Sequence, residues 1–416
     1  MWRLNNPVRR YAWGSTTAIP KWLGVEPDGH PQAELWMGAH TSAPSEILTE
    51  TEDTTLEAAI AADPKQLLGE DVILRFGERL PFLLKLLAVR EPLSLQVHPC
   101  ADRAQAGYTA ENTTDVPIGA SHRNYPDPFA KPELVVALEP FDALCGFRSP
   151  HAAAAEVRGL VSPLARELHT DLTQRDTASA LRAAMRRLLT LDESRRETDV
   201  VDLVAELGER MDNASDGPAQ SNILVTLELA ERYPGDPGAI AALLLNHVTL
   251  TPGEAMFLPA GNVHAYLRGT AVEIMGCSDN VLRGGLTPKH IDAEEFLAVV
   301  DFSCLDSTVT RPEAHGPRHD YTPGVPEFAL SVIDVDWETN ADAETHDAVL
   351  RGPAIVFSLS GETRLTSVAP TDQVPQPAGA STLALTRGES AFVPASRGPV
   401  ALKGRGKVAV ATVGPA

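Results

Sequence analysis

Positive charge is scarce in this sequence, which has 35 lysine and arginine residues against 56 aspartate and glutamate residues over 416 positions. The formal net charge is therefore −21. Nucleic acids and anionic membrane surfaces attract proteins through a positive surface field, so we expect neither as a partner. An anionic substrate would need cations placed locally at its binding site.

Long apolar runs and paired cysteines are also missing. No segment has the apolar length that spans a bilayer, and the N-terminal residues lack the continuous apolar segment of a secretory signal. The four cysteines show no Cys-x-x-Cys spacing, which argues against a disulfide framework and against a cysteine zinc site. The sequence therefore predicts a cytoplasmic protein with reduced thiols.

The length predicts two or three domains, and the strand and helix patterns divide the chain into three regions. Alternating strand-like runs frame a central stretch with a proline at its first helical position and apolar residues at three- and four-residue steps. We therefore expect a discontinuous first β domain, an inserted helical domain and a second β domain. Their predicted bounds are residues 1–150 with 233–315, residues 151–232, and residues 316–416.

Local patterns predict further elements within these regions. A short helix is expected over residues 55–63, where it ends before a proline, and β structure over residues 80–97. Residues 102–128 are polar and rich in turn formers, which indicates a loop near the site. We expect β structure again over residues 239–283 and a helix that begins at Thr287.

One stretch has a distinctive spacing, in which Gly253 is followed by Pro259, Gly261 and His264. The glycines suit tight turns that need positive φ, and the proline ends a run that cannot continue as a central strand. The next strand directs His264 to one face, where it is a candidate metal ligand. A lone histidine is more often a hydrogen-bonded structural residue, so this interpretation depends on its companions.

Two upstream segments supply those companions. Successive side chains of a strand alternate between faces, so Ser94, Gln96 and His98 share one face, and Lys131 and Glu133 share another. Two imidazoles, a carboxylate and an amide oxygen form a suitable set for a divalent ion with an open position, and Zn²⁺ is the expected metal. The open position indicates catalysis.

Four motifs resemble, in order, those of the type I phosphomannose isomerases of the cupin superfamily. They are Gln96-Val-His98-Pro99, Lys131-Pro132-Glu133-Leu134, the spacing that ends at His264, and the segment from Ser278-Asp279-Asn280 to Lys289. The resemblance begins at Arg3 and implies a mainly β fold with an α-helical insert: two cupin jelly-roll β-barrels plus a helical domain. It also implies that Gln96, His98, Glu133 and His264 are the zinc ligands.

The C-terminal region repeats part of the histidine motif without its histidine. Gly388 and Pro394 copy the first spacing, but Ser396 and Pro399 occupy the positions of the second glycine and the histidine. We therefore expect the second barrel to lack metal ligands and the chain to hold one zinc ion. The first barrel also departs from the family at Ala130, where its members usually have asparagine or histidine.

The resemblance implies an isomerase that interconverts D-mannose 6-phosphate and D-fructose 6-phosphate through a cis-enediol. Such a reaction needs an acid–base group, an electrophile for the developing negative oxygen and an anchor for the phosphate. The expected catalytic residues are Arg283, Lys131, Asp279 and Glu273. The expected phosphate-binding residues are Lys85, Ser94 and Lys289. Lys131 is favoured as the proton shuttle, because neighbouring cations favour a neutral amine.

Other interpretations of the same residues stay open. Asp279 and Arg283 could pair with each other, His40 could be structural rather than a ligand, and the arginines of residues 182–187 could lie on a solvated helix face. A non-catalytic sugar-phosphate sensor and an iron-dependent cupin oxygenase are alternative functions, because fold alone does not separate them. We expect a monomer whose partner is a small phosphorylated sugar.

Overall fold

The structure is a computed structural model of the chain and describes residues 1–48, 54–212, 220–305, 308–336, 349–368 and 381–415. Its helices are α1 (Ala18–Leu23), α2 (Leu56–Ala62), α3 (Pro64–Leu68), α4 (Glu70–Phe76), α5 (Ala101–Thr113), α6 (Pro150–Val157), α7 (Pro163–Leu172), α8 (Thr177–Leu189), α9 (Glu193–Arg195), α10 (Val201–Asp212), α11 (Gln220–Arg232), α12 (Pro237–Ala241) and α13 (Ala293–Val299). No helix in these ranges is long and apolar enough to cross a membrane.

The strands form two antiparallel sheets. In the first half of the chain they are β1 (Trp2–Asn5), β2 (Val8–Arg9), β3 (Glu34–Met37), β4 (Glu46–Leu48), β5 (Thr54–Thr55), β6 (Phe82–Val89), β7 (Leu95–Val97), β8 (Glu133–Ala137) and β9 (Phe141–Phe147). In the second half they are β10 (Leu245–Leu250), β11 (Ala255–Leu258), β12 (His264–Gly276), β13 (Leu282–Gly285), β14 (Glu313–His315), β15 (Arg318–Tyr321), β16 (Ala329–Asp336), β17 (Val349–Leu350), β18 (Ala354–Ser367), β19 (Thr382–Thr386), β20 (Ser390–Val393) and β21 (Val400–Thr412).

The long strand β12 organises the first sheet, which has ten strands in the described ranges. Its first half pairs with β7 and β9, and its second half pairs with β6 and β8. The turns that lead into β12 follow the sequence pattern, because Gly253 has φ 89° and Gly261 has φ 81°. Residues other than glycine rarely adopt these backbone angles. The two glycines therefore fix the direction in which β12 starts.

The second sheet contains eleven strands in the described ranges and includes strands from both ends of the chain. β1 pairs with β20, and β4 pairs with β1, whereas the predicted domain bounds put residues 1–150 with the first sheet. Leu4 and Ile47 are buried in an apolar cluster that contains Phe392 of β20 and also residues of the first sheet such as Leu86. By their pairing, β1 and β4 belong to the second sheet, in contrast to the predicted division of the chain.

Helices α6 to α11 lie between Pro150 and Arg232, in the stretch that the sequence assigns to the helical insert. α6 begins at Pro150, where the missing N–H of proline costs no helical hydrogen bond. The insert does not have a core of its own, because Leu164, Leu181 and Leu203 pack in the same cluster as Leu95 of β7. Its helices therefore cover one face of the first sheet.

Three local predictions were wrong. The expected loop begins with α5, because the alanines of residues 101–110 favour a helix and the turn formers follow only after it. Residues 237–244 are helical rather than extended. The helix expected from Thr287 begins only at α13, because the side chain of Asp292 accepts a hydrogen bond from the Glu295 amide and caps the helix there.

Candidate active site

The pairing register brings the motifs together. His264, the first residue of β12, lies opposite Gln96 of β7, and Gln96 in turn lies opposite Arg283 of β13. At the other end of β12, Met275 pairs with Glu133 and Glu273 pairs with Lys85. Side chains that are distant in sequence thus face one cavity between the strands.

Three buried side chains form a compact cluster at the base of this cavity. The ligand atoms of His98, Glu133 and His264 all lie within 4.8 Å of one another. No other group of three or more His, Cys, Asp or Glu side chains in the described ranges has comparable geometry. Gln96, whose register places it beside His264, lines the same cavity.

The hydrogen bonds of the two imidazoles show that the cluster suits a metal ion. Each ring donates its Nδ1–H to a main-chain oxygen, His98 to Asn280 at 2.8 Å and His264 to Asn262 at 3.1 Å. Each Nε2 therefore keeps its lone pair, and in the described part of the chain neither finds a hydrogen-bond donor. These atoms face Glu133 oxygens at 3.2 and 3.4 Å. Acceptors that face one another need a cation, and this set fits zinc.

Burial also prepares His98 for a metal. It lowers the pKa of His98 to about 4, so the ring is neutral near pH 7. A neutral imidazole is the form that binds a metal, because no proton has to leave the ring first.

Glu273 and Tyr266 extend the site along the same face of β12. The Tyr266 hydroxyl donates to Glu273 at 2.7 Å and lies 3.4 Å from Glu133. Burial raises the pKa of the Glu273 carboxyl despite the nearby charge of Lys85. Lys131 enters from the other side, where its Nζ lies 3.2 Å from Glu133. A carboxyl group and an amine therefore flank the candidate metal centre.

Lys85 is already engaged with protein carboxylates. Its Nζ lies 3.0 Å from Glu273 and 3.7 Å from Glu34, and the side chain is buried. Burial alone would lower the pKa of the Lys85 ammonium, but the charges of Glu273 and Glu34 raise it above its ordinary value. The geometry favours a lysine that neutralises two buried acids over one that is free to anchor a phosphate.

Lys85→Met is expected to destabilise the protein by about 3 to 5 kcal/mol, because the substitution leaves two buried carboxylates without their shared cation. The free energy of unfolding in denaturant would measure this loss. Lys21→Met is the matched control: Lys21 pairs with Glu139 at 3.4 Å on the surface, and the expected change is at most about 1 kcal/mol. Equal stability of Lys85→Met and the parent would contradict the neutralising role.

The cavity above the cluster has a volume of about 520 Å³. Ser94, Asp279, Arg283 and Lys289 line it together with the buried groups. Burial lowers the pKa of Arg283, while burial and the charge of Arg283 lower the pKa of Lys289. No acidic side chain of the described residues lies within ion-pair distance of either cation, so both are available to an anionic ligand.

The alternative pairs proposed from sequence are resolved by geometry. Asp279 lies 3.4 Å from His40 rather than beside Arg283, and His40 belongs to no metal cluster of the described residues. The arginines of residues 182–187 bind protein groups: a main-chain oxygen of Leu297, the carboxylate of Glu294, and Asp171 with two hydrogen bonds. They have ordinary structural partners.

The sequence reasoning missed Glu34, Trp36 and Tyr266, which line the cavity. The alternation of side chains along a strand could have identified all three. Tyr266 lies two residues after His264 in one strand and so shares its face, and Glu34 and Trp36 are likewise two residues apart in β3. The Trp36 indole donates to Glu34 at 2.5 Å, so this pair is built into the wall.

The comparison with known families identifies the first part of the chain. A family model described as the catalytic domain of type I phosphomannose isomerase matches residues 1–150. The mannose-6-phosphate isomerase of Escherichia coli (strain K12) is 39% identical over 416 residues, which cover 98% of each chain. The mannose-6-phosphate isomerase of Bos taurus is 34% identical and covers 79% of this chain and 80% of its own.

Solved structures give the same comparison in three dimensions. The mannose 6-phosphate isomerase of Salmonella typhimurium bound to fructose 6-phosphate and zinc has a TM-score of 0.84, 37% identity, and coverage of 100% of both chains. A zinc-bound holo structure of mannose 6-phosphate isomerase also has a TM-score of 0.84, with 36% identity over 100% of this chain and 99% of that one. The likeness therefore extends over both sheets and the helices.

Proposed function

The chain belongs to the type I phosphomannose isomerase family, and from this we infer that it interconverts D-mannose 6-phosphate and D-fructose 6-phosphate with one zinc ion per chain. The observation that carries this function is the buried cluster of His98, Glu133 and His264, whose lone pairs converge at the base of a cavity lined with cations. Gln96 completes the proposed ligand set. The Salmonella typhimurium relative holds both zinc and fructose 6-phosphate.

The two alternative functions explain fewer of these observations. A sensor that only bound a sugar phosphate would not need a protonatable carboxyl such as Glu273, hydrogen-bonded to Tyr266 beside the metal cluster. An iron-dependent oxygenase would take a redox metal, whereas two solved relatives hold zinc. Isomerisation gives a role to the ionisable groups beside the metal cluster, Glu273 and Lys131.

The reaction moves protons between neighbouring carbons of the open-chain sugar. A base removes the C2 proton, and the C1 carbonyl oxygen gains a proton to give the cis-enediol. A proton is then delivered to C1 while the C2 hydroxyl loses its proton to a base and becomes the carbonyl. Bound zinc supplies a Lewis acid that polarises oxygen. Lys131 is the proposed proton shuttle, and Asp279 and Glu273 are carboxylates that can exchange hydroxyl protons in the same cavity.

The phosphate site is proposed at the rim of the cavity. Ser94 and Lys289 line it and supply a hydroxyl donor and a positive charge. Lys85 was also expected to bind the phosphate, but it forms ion pairs with two carboxylates. We therefore propose that it neutralises Glu34 and Glu273 instead. Arg283 is proposed to face the reacting carbons, where its planar fork of donors suits an enediolate oxygen.

The strand pairing supports a more detailed description of the two sheets. We propose that both sheets are cupin jelly rolls. In the first, β12 pairs with β6 and β8 along one half and with β7 and β9 along the other; in the second, β18 pairs with β20 along one half and with β19 along the other. The first domain then comprises most of residues 1–150 with 233–315, and the second comprises residues 316–416 with β1, β4, β5 and β14. Residues 151–232 remain the helical insert.

The compartment and the oligomeric state are further proposals. We propose a cytoplasmic location, which fits four cysteines without Cys-x-x-Cys spacing in the sequence. We also propose a monomer, in which the ligand cluster and the cavity residues are complete within one copy of the chain. The second sheet contributes no metal ligand cluster among its described residues.

The proposed function is tested by incubating the purified protein with mannose 6-phosphate and detecting fructose 6-phosphate, with and without a chelator and added Zn²⁺. We expect turnover that the chelator abolishes and zinc restores, with one equivalent of zinc per chain. Turnover that survives complete metal removal would exclude the zinc-dependent reaction. No turnover with any metal would favour the sensor.

A further inference from the structure

His40 lies directly behind Asp279 and outside the cavity. Its side chain is 5% exposed, whereas that of Asp279 is 49% exposed and lines the cavity. The two meet at 3.4 Å between His40 Nε2 and Asp279 Oδ1. A buried imidazole therefore contacts the hidden side of a carboxylate whose other side faces the substrate space.

The hydrogen bonds of His40 determine which ring nitrogen carries the proton. The Ser42 main-chain N–H donates to Nδ1 at 3.2 Å, and the Ser42 hydroxyl lies 2.9 Å from the same atom. A backbone N–H can only donate, so Nδ1 is an acceptor and the neutral ring carries its proton on Nε2. The protonated Nε2 is the atom that faces Asp279.

The loop that carries His40 is held firmly. Ser45 closes it, because the Ser45 amide donates to the Gly38 oxygen at 2.8 Å and the Gly38 amide donates to the Ser45 hydroxyl at 3.0 Å. The His40 ring also packs edge-on against Trp36, with ring centroids 4.8 Å apart. The imidazole thus has a fixed place and a fixed orientation relative to the cavity wall.

Asp279 is fixed at its backbone by a separate residue. Its amide donates to the carboxylate of Asp127 at 2.7 Å, so the main chain is placed independently of His40. The direction and the charge of the Asp279 carboxylate therefore depend on its side-chain contact with His40. Burial alone would raise the pKa of Asp279, but His40, Lys131 and Lys85 hold it below its ordinary value.

From this geometry we propose that His40 is a positioning residue of the isomerase: its Nε2–H orients the Asp279 carboxylate toward the sugar. The inference rests on the proposed function, because it assigns the cavity-facing carboxylate of Asp279 to substrate. His40 itself does not touch the substrate space. It acts through Asp279 and through no metal ligand, so its loss should leave the metal centre complete.

The test compares His40→Met with His40→Gln in the zinc-loaded enzyme, because the two side chains have similar length and only glutamine keeps an N–H donor. His40→Met should lower kcat about tenfold, the rate equivalent of one hydrogen bond to a charged group, with KM nearly unchanged and one zinc per chain. His40→Gln should retain kcat to within about twofold of the parent. In an Asp279→Ala background, His40→Met should have no further effect on kcat.

Several results would overturn the proposal. One is an equal loss of kcat in His40→Met and His40→Gln, and another is a loss of the same size in the Asp279→Ala background; either would mean that His40 acts through packing. The ring nitrogens of ¹⁵N-labelled His40 provide a readout that does not depend on turnover. Nε2 should carry the proton near pH 7, and an unprotonated Nε2 would overturn the inference even if the parent proved inactive on mannose 6-phosphate.

Discussion

His264→Ala is expected to lose zinc and turnover together. His264 is fully buried at the start of β12, and its Nε2 faces Glu133 while its Nδ1 donates to Asn262. Loss of an outer partner of a metal ligand typically costs about 10- to 100-fold in metal affinity or activity, so loss of the ligand itself should exceed about 100-fold in both. Zinc content after dialysis and turnover at saturating substrate would measure the effect.

His247→Ala is the matched control for this experiment. His247 is another histidine of the first sheet, partly buried on β10, and it lies outside the metal cluster. Its loss should leave zinc content and kcat close to the parent values. A zinc-replete and active His264→Ala protein would remove His264 from the metal centre, and addition of excess Zn²⁺ would show whether a weakened site can be refilled.

The sequence contains enough information for the metal cluster because short-range strand geometry decides which side chains share a face. The alternation of side chains predicts that Gln96, in β7, and His98, directly after it, share a face; in the structure Gln96 lines the cavity and His98 belongs to the cluster. The turn glycines then fix where β12 begins, and His264 is its first residue. Both signals act within a few residues, and therefore they can be read without knowledge of the fold.

The role of Lys85 could not be predicted in the same way. Its partners come from two other strands: Glu273 faces it in the register between β6 and β12, and Glu34 is carried by β3, which also pairs with β6. These contacts link residues far apart in sequence, and nothing local shows that a lysine between apolar neighbours will meet two acids. The sequence therefore predicted Lys85 as a phosphate-binding residue, because its acidic partners are not visible in the local pattern.

Long-range pairing also explains the misplaced N-terminal strands. β1 is four residues long and has no local pattern that separates one sheet from the other. Its partner β20 lies almost 400 residues later, and Leu4 is buried in an apolar cluster that contains residues of both sheets. The order of strands within a sheet follows from such tertiary contacts, which local propensity does not contain.

Arg283→Ala is expected to lower kcat by about 100-fold or more with little change in KM, because its donors should stabilise negative charge that appears only in the transition state. Arg283 lies in β13 opposite Gln96, and its side chain lines the cavity. The alternative in which Arg283 pairs with Asp279 is not seen, since Asp279 contacts His40. The side chain is therefore free to turn toward the sugar oxygens.

Steady-state kinetics on folded, zinc-loaded Arg283→Ala would test this role, with Arg268→Ala as the matched control. Arg268 lies on the outer side of β12, where Asp142 and Glu228 bind it, and its loss should leave kcat and KM near the parent values. Arg283→Lys keeps a charge but not the planar fork, so it should recover only part of kcat.

The opposite kinetic result would assign Arg283 to the phosphate. A rise in KM with an unchanged kcat is the signature of an interaction that is equally strong in the ground state and the transition state. The structure supports this outcome, because Lys85 forms ion pairs with Glu273 and Glu34. Of the predicted phosphate-binding residues, only Ser94 and Lys289 then remain. Burial and then the charge of Arg283 lower the pKa of Lys289, so the two cations already repel each other. A dianion between the two cations would relieve that repulsion, so Arg283→Ala and Lys289→Ala should then raise KM to a similar extent. If Arg283 instead serves the enediolate, only Lys289→Ala should raise KM.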